Sequence, residues 1–199
     1  CGPEGIDKRT KDGKARWAAF LAEAGTRACL DAEDFENVKK IAASVRAHPT
    51  ATKIFFDGEA EKSLFWVDPN TGVLCKVRPD WLRKGLIGDL KTTEDAGTDH
   101  FQRSIYNYGY HRQAAFYLDG VAAVTGDKHS NFVFVVVEKS RPYAVACYIL
   151  NDDAIALGRH ENKNSFEVYA RCMQTNEWPG YPADVQTISL PGYAFKKAA

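Results

Sequence analysis

The sequence predicts an α/β fold in which a mixed central β-sheet is flanked by helices. Three observations indicate this class. Apolar side chains recur at helical spacing before residue 50. Between residues 60 and 91 the pattern changes to short apolar runs separated by turn residues, which is typical of strands. Two more apolar runs, FVFVVVE and YAVACYIL, then stand between helical segments. Helices and strands in this order are typical of one sheet covered on both sides.

The N-terminal third is predicted to be helical. A first helix runs from about Asp12 to Ala24 and ends at Gly25, a residue that commonly terminates helices. A second helix begins after a capping aspartate, either Asp31 or Asp34. A short helical piece, running to about Phe56, follows Pro49.

The strands follow. EKSLFWVD and VLCKVR flank the turn PNTG and predict a hairpin, and residues 85–91 predict a third strand. Residues 98–124 predict one long helix, and the two apolar runs predict a β pair around KSRP. A final helix opens at Asp152 or Asp153 and ends near NEWPGYP, before an irregular tail.

Composition limits the possible functions. The 199 residues, 45% of them hydrophobic, suit one domain with a full core. Lys and Arg together number 26, as do Asp and Glu, which argues against a protein that coats nucleic acid through bulk charge but allows a local basic channel. No apolar run approaches the roughly 20 residues of a membrane span, and no signal peptide is visible. The five cysteines lack metal-site spacing, so we expect reduced, buried thiols in a cytoplasmic protein.

Three charged residues stand around an apolar run in RPDWLRKGLIGDLKTT: Asp80, Asp89 and Lys91. Because side chains alternate along a strand, Asp89 and Lys91 share one face. If the strand VLCKVRPD is the neighbour of GLIGDLK, Asp80 joins them there. Two adjacent carboxylates repel each other, and a divalent cation such as Mg²⁺ or Mn²⁺ relieves that repulsion. A nearby lysine can orient or deprotonate a water, so the cluster predicts phosphodiester hydrolysis, with a surface ion-pair cluster as the alternative.

These residues resemble the PD-(D/E)xK nuclease motif. The similarity extends to the segments IDKRTKDGKARWAAF, EAEKSLFWVDPNTGVLCKVRPDWL, YGYHRQAAFYLDG, FVFVVVEKSRPYAVACYIL and NEWPGYPADVQTISLP, which together resemble the exonuclease VIII (RecE-type) branch. The resemblance implies a PD-(D/E)xK nuclease-like core and a Mg²⁺-dependent exonuclease, with Mn²⁺ as a substitute. Such an enzyme degrades one strand of linear duplex DNA from 5′ to 3′ and leaves a 3′ single strand.

The resemblance also assigns roles. It implies that Asp80, Asp89 and the Leu90 carbonyl bind the metal, that Lys91 is catalytic, and that Glu61 is an upstream acid at the metal site. Gln113 and Tyr117 match a Gln-x-x-x-Tyr signature. They lie on one helix face, where we expect Gln113 to support catalysis and Tyr117 to contact DNA.

Other side chains surround this motif. Lys76, Arg78 and Arg112 are candidate contacts to DNA phosphates. Tyr106 and Tyr110 extend the Gln113 stripe backwards and are as compatible with a core role as with a functional one. His111 faces away from that stripe, so we expect it to be an ordinary structural or surface residue.

Further expectations concern assembly and completeness. The resemblance implies binding to double-stranded DNA ends, a single-strand annealing protein as partner, and a homo-oligomeric ring, a tetramer rather than a trimer. Relatives of this type carry a preceding segment with a histidine-bearing helix and residues for the 5′ phosphate, so we expect residues 1–199 to form a single nuclease domain that lacks it. The alternatives are a non-catalytic scaffold that binds DNA ends and an endonuclease on the same core.

Overall fold

The computed structural model describes residues 6–27, 29–127, 131–191 and 195. Six helices and seven strands lie in these ranges. The helices are α1 Lys11–Ala24, α2 Ala32–Ala47, α3 Pro49–Ile54, α4 Thr98–Asn107, α5 Tyr110–Thr125 and α6 Asp152–Thr175. The strands are β1 Glu59–Ala60, β2 Leu64–Val67, β3 Leu74–Val77, β4 Trp81–Arg83, β5 Leu86–Thr93, β6 Asn131–Glu138 and β7 Val145–Ile149.

Five strands form the central sheet in the order β1-β4-β5-β6-β7. Strands β5 and β6 are parallel along their whole length, from Leu86 opposite Asn131 to Thr93 opposite Glu138. The other pairs are antiparallel. Parallel strands need a crossover connection, and helices α4 and α5 form it between β5 and β6. The sheet is therefore mixed, as the sequence predicts.

The two faces of the sheet pack against different helices. Ile87 of β5 and Phe134 of β6 belong to a core that also contains Phe101 of α4 and Leu118 of α5. On the other face, Val133, Val135 and Val137 of β6 pack with α2 and α3 side chains such as Ile54. Burial of the strands on both sides explains why β6 is almost continuously apolar. The predicted α/β class, with a mixed sheet flanked by helices, is confirmed.

The predicted hairpin forms, but it is not part of the central sheet. Strands β2 and β3 pair with each other as a separate two-stranded sheet. Trp66 of β2 packs on Phe116 of α5, with ring centroids 5.1 Å apart. The prediction that the VLCKVRPD strand is the neighbour of GLIGDLK is therefore wrong. Pro79, which lacks a backbone donor, separates β3 from the short strand β4, and β4 is the strand that pairs with β5.

The single helix predicted over residues 98–124 is also wrong, because the chain breaks it at Gly109. This glycine has a φ of 67° and a ψ of 31°, a left-handed conformation that ends one helix and lets the next begin in a new direction. Tyr108 closes α4, where its N–H donates to the Ser104 carbonyl at 2.9 Å. The sequence GYH gave no strong sign of this, since one glycine within a helical pattern is often tolerated.

The remaining predictions for helices hold within a few residues. Asp31, not Asp34, caps α2, and its side chain accepts from the Asp34 N–H at 2.8 Å. Gly25 follows α1 as predicted. Asn151 caps α6 by accepting from Ala154 N–H at 3.0 Å, which places the helix start at the predicted Asp152. After α6, residues 176–191 contain neither helix nor strand.

The cysteines in the described ranges are free thiols. Cys75 and Cys172 are buried and Cys147 is partly buried, as expected, whereas Cys29 is exposed; Cys1 lies outside the described residues. Burial raises the pKa of the Cys75 and Cys147 thiols, which keeps them protonated. No helix in the described part of the chain is both long enough and apolar enough to cross a membrane.

Candidate active site

The two motif aspartates meet at the junction of β4 and β5. Trp81 pairs with Gly88, and because the strands are antiparallel, the next position places Asp80 opposite Asp89. Asp80 Oδ2 accepts a hydrogen bond from the Leu90 N–H at 2.8 Å, so the main chain of β5 holds the first acid beside the second. The predicted convergence therefore occurs, although β4 rather than β3 brings it about.

Asp89 is the most constrained group in the site. It is 1% exposed, because it follows the apolar strand run into the core and lies beneath α5. Gln113 Nε2 donates to its Oδ1 at 2.8 Å, and Lys91 Nζ lies 2.6 Å from its Oδ2. Burial raises the pKa of Asp89 to about 6, since loss of water disfavours the carboxylate; the negative charge of Asp80 adds to the rise, while Lys91 and Gln113 oppose it.

Lys91 reaches the same point from the same strand face. It lies two positions after Asp89 in β5, so both side chains face α5. Its side chain is 17% exposed, which removes most of the solvent from around the ammonium group. The ammonium nitrogen lies 4.8 Å from the centroid of the Tyr110 ring, at the first residue of α5. A cation held between a carboxylate and an aromatic face has little freedom to leave the site.

Glu61 lies one strand further along the sheet. Its N–H donates to the Asp80 carbonyl at 3.2 Å, so positions 61, 80 and 89 follow one another across the strands. The Glu61 backbone has a φ of 54°, and its carboxylate pairs with Arg78 Nε at 2.8 Å. This carboxylate is 55% exposed. The structure therefore places Glu61 beside Asp80 across the sheet, and the Glu61 side chain pairs with Arg78.

The donor set fits a divalent cation in one respect. Within the described ranges, Asp89 Oδ2 is buried and has the Lys91 ammonium 2.6 Å away. Carboxylate oxygens are the ligands that cations such as Mg²⁺ prefer, and Asp80 supplies a second carboxylate nearby. No group of three or more His, Cys, Asp or Glu side chains is gathered for a metal in the part of the chain that the structure describes. The residues present thus offer two acids, with Glu61 as a prospective third.

The other predicted site residues lie further from this cluster or have other partners. Lys76 belongs to the β2–β3 sheet, where it lines a groove with Phe116 and Phe166. Arg112 Nε lies 3.6 Å from a Glu161 oxygen on α6. Tyr117 is half-buried and contacts Phe132 edge-on, with centroids 6.0 Å apart, so much of its ring serves the core.

Sequence reasoning missed two arrangements around the site. His111 is buried, and its Nε2 lies 2.9 Å from Glu161 Oε2, which confirms the expected structural role but adds a partner 50 residues away. No local pattern indicates that pair. The contact between Tyr110 and Lys91 was also missed, although the aromatic row ahead of Gln113 was its signal.

Comparison with known proteins agrees with this geometry. Residues 9–191 match the family described as a PDDEXK-like domain of unknown function, DUF3799. The chain belongs to this family. It is thereby a member of the PD-(D/E)xK nuclease superfamily, as the motif predicts, and members of that superfamily generally use divalent metals. No curated protein matches the sequence.

This DUF3799 chain is similar to solved structures, one of which supports the fold. One is the crystal structure of a protein from Eubacterium rectale named as an exonuclease candidate; it aligns with a TM-score of 0.58 and 16% identity over 90% of this chain and 74% of that chain. At this identity, the likeness concerns the fold alone. The protein SSO0001 aligns with a TM-score of 0.38 and 14% identity over 84% of this chain and 68% of that chain, which is too distant to support an argument.

Proposed function

We propose that this chain is a Mg²⁺-dependent exodeoxyribonuclease that degrades one strand of linear double-stranded DNA from 5′ to 3′, with Mn²⁺ able to substitute. The observation that carries the proposal is the convergence of Asp80, Asp89, Lys91 and Gln113 around the buried carboxylate of Asp89. The polarity and the preference for ends rest on the resemblance to the exonuclease VIII branch.

In this proposal Asp80, Asp89 and the Leu90 carbonyl hold the ion, and Glu61 joins them by leaving Arg78. A bound divalent cation supplies Lewis acidity and lowers the pKa of a coordinated water. Gln113 fixes the rotamer of Asp89 through the 2.8 Å hydrogen bond. That contact keeps the acid on the strand face where Lys91 lies.

Lys91 acts on the reacting groups. Its ammonium can orient the attacking water and stabilise charge that develops on a phosphate oxygen. The limited solvent around it strengthens both effects. Arg78 would be released by Glu61 on metal binding, and would then be free to contact a DNA phosphate. Lys76, Arg112 and Tyr117 are proposed as more distant DNA contacts.

The assembly is part of the proposal. Double-stranded DNA ends are the substrate, and a single-strand annealing protein is the partner that takes the 3′ tail. A homo-oligomeric ring, tetrameric rather than trimeric, would keep the enzyme on its DNA. Size-exclusion chromatography with light scattering, in the presence and absence of a tailed duplex, measures the number of subunits directly.

Digestion of end-labelled DNA tests the chemistry. Linear duplex labelled at either the 5′ or the 3′ end is incubated with Mg²⁺, with Mn²⁺ or with EDTA, beside closed circular DNA. We expect metal-dependent release of 5′-terminal nucleotides and no cutting of circles. Cleavage of circles would indicate an endonuclease, and cleavage that persists in EDTA would refute the metal-dependent reaction.

A second candidate is a non-catalytic scaffold that binds DNA ends. Its support is that the described residues gather only two acids and not three at the site. It predicts binding to duplex ends with no nucleotide release even at high Mn²⁺. The same digestion, combined with a mobility-shift assay, separates the two candidates.

A further inference from the structure

Two exposed tyrosines stand at the corner between α4 and α5. Tyr106, in the last turn of α4, is 72% exposed, and Tyr108, the residue that caps the end of α4, is 71% exposed. A large aromatic ring left in water forgoes the burial that aromatic side chains normally obtain. The fold keeps these rings outside because Gly109 turns the chain immediately after Tyr108.

The rings of Tyr106 and Tyr108 contact different side chains. The Tyr108 ring lies 5.6 Å from that of Tyr110, with 31° between their planes. Tyr110 in turn lies 4.8 Å from the Lys91 ammonium. Tyr106 instead stacks on His111, with centroids 6.3 Å apart and planes within 10°. Of these two tyrosines, only Tyr108 is therefore linked to Lys91 of the candidate active site, through the ring of Tyr110.

A cation accompanies this aromatic path. The Arg112 guanidinium covers Gly109, with Nη2 only 2.6 Å from where a Cβ would stand at that glycine. Arg112 therefore lies at the glycine that separates Tyr108 from Tyr110 in the chain, and its Nε also lies 3.6 Å from a Glu161 oxygen. Aromatic faces with a neighbouring cation are the combination with which proteins bind single-stranded nucleic acid, because each base can stack while its phosphate is neutralised.

We propose that Tyr108 is a base-stacking residue, which receives one unpaired nucleobase of the strand whose phosphate lies at Asp89 and Lys91. The inference rests on the proposed function, because Tyr108 can stack on a base only if the substrate is a nucleic acid. It goes further by naming which residue holds the base. A strand that enters at Lys91 passes the Tyr110 edge and places a base on the exposed Tyr108 face, with Arg112 near the linking phosphate.

Fluorescence quenching tests this without cleavage. Duplexes with a short unpaired 5′ tail carry 2-aminopurine at successive tail positions, and binding is measured in EDTA. We expect quenching at one tail position for the wild type and for Tyr108→Trp. Tyr108→Ala should lose that quenching and bind the tail about 5- to 100-fold more weakly. Tyr106→Ala is the matched control, since its ring has nearly the same exposure but stacks on His111.

The outcomes are separable. Loss of quenching in both alanine variants, or in neither, would overturn the stacking assignment, and an unchanged affinity for Tyr108→Ala would assign the ring to a protein contact instead. Absence of tail binding by the wild type would also overturn it. Quenching that depends on Tyr108 in a protein that releases no nucleotides with Mg²⁺ would uphold the stacking site and refute the nuclease. Equal thermal unfolding of all variants shows that each is folded.

Discussion

Helix α5 makes two polar contacts with acidic side chains, one on each of two sides. The two acids differ in how far they are buried. On one side His111 meets Glu161 at 2.9 Å; on the other Gln113 meets Asp89 at 2.8 Å. Glu161 is 34% exposed and can therefore keep its charge partly in water. Asp89 is buried, has its pKa raised to about 6, and has the Lys91 ammonium 2.6 Å from its second oxygen.

The difference separates a structural acid from the acid that we propose binds the metal. Glu161 joins α6 to α5 at a close helix crossing, where a Cβ on Gly158 would stand 2.3 Å from the His111 carbonyl oxygen. Its carboxylate is paired with His111 and is partly open to solvent. Asp89 combines burial with a raised pKa, and acids perturbed in this way are common at active sites.

The largest expected effect comes from removing the functional acid. Asp89→Asn should lower the rate of Mg²⁺-dependent cleavage by roughly 10³-fold or more, because the amide is a poor ligand for the cation. The matched variant Glu161→Gln should leave the rate within a few-fold. Single-turnover cleavage and calorimetric Mg²⁺ titration measure the two effects. Equal losses in both variants would contradict the division between the acids.

Replacing the lysine should separate chemistry from metal binding. Lys91→Met should lower the cleavage rate by about 10²- to 10⁴-fold, since the ammonium acts on the reacting groups, while Mg²⁺ still binds. Lys139→Met is the control, because Lys139 pairs with Glu94 on the surface at 3.0 Å. Parallel loss of Mg²⁺ binding in Lys91→Met would show that the lysine serves only to organise the site.

The pH dependence of stability should reveal the burial of Asp89 without any substrate. Native Asp89 retains its proton up to about pH 6, whereas the unfolded chain releases it near pH 3.8, so the native state binds more protons between these values. The free energy of unfolding of the metal-free protein should therefore fall as the pH rises through this range, by up to about 3 kcal/mol from this group.

Denaturant unfolding at pH 4.5 and pH 7 would measure that slope. The difference between wild type and Asp89→Asn isolates the contribution of Asp89 from that of the other carboxylates. We expect Mg²⁺ to stabilise the wild type at pH 7 more than at pH 4.5, since the cation competes with the proton. An identical slope in both proteins would exclude Asp89 as its source.

The smallest expected effect belongs to the structural acid. Glu161→Gln should lower the free energy of unfolding by about 1–3 kcal/mol, because the hydrogen bond to buried His111 loses its charged partner. Glu167→Gln on the same helix should change it by less than about 0.5 kcal/mol, since Glu167 pairs with Lys163 only at 3.9 Å on the surface. Chemical denaturation compares them, and equal effects would place Glu161 among ordinary surface residues.

Local patterns made much of the site predictable. Alternation along β5 places Asp89 and Lys91 on one face, and the apolar run before them places that face in the core. The motif spacing also predicted that Asp80 would join them. The spacing gave the right partners but the wrong strand, because β4 has only three residues and leaves no periodic signal.

The remaining arrangements depend on contacts between distant parts of the chain. Whether Gly109 continues a helix or ends it depends on how α4 and α5 each pack on the sheet, and the local sequence permits both. The partner of His111 comes from α6, so no spacing within α5 could indicate it. Glu61, which pairs with Arg78, has a left-handed backbone that sequence patterns do not predict for glutamate.

Leu90 contributes to the acid pair through its backbone and not through its side chain. Its N–H fixes Asp80, while its side chain points away from the cluster and is 41% exposed. The middle position of Asp-x-Lys should therefore tolerate most amino acids without disturbing the neighbouring acids. Proline is the exception, because it would remove the very hydrogen that anchors the first aspartate.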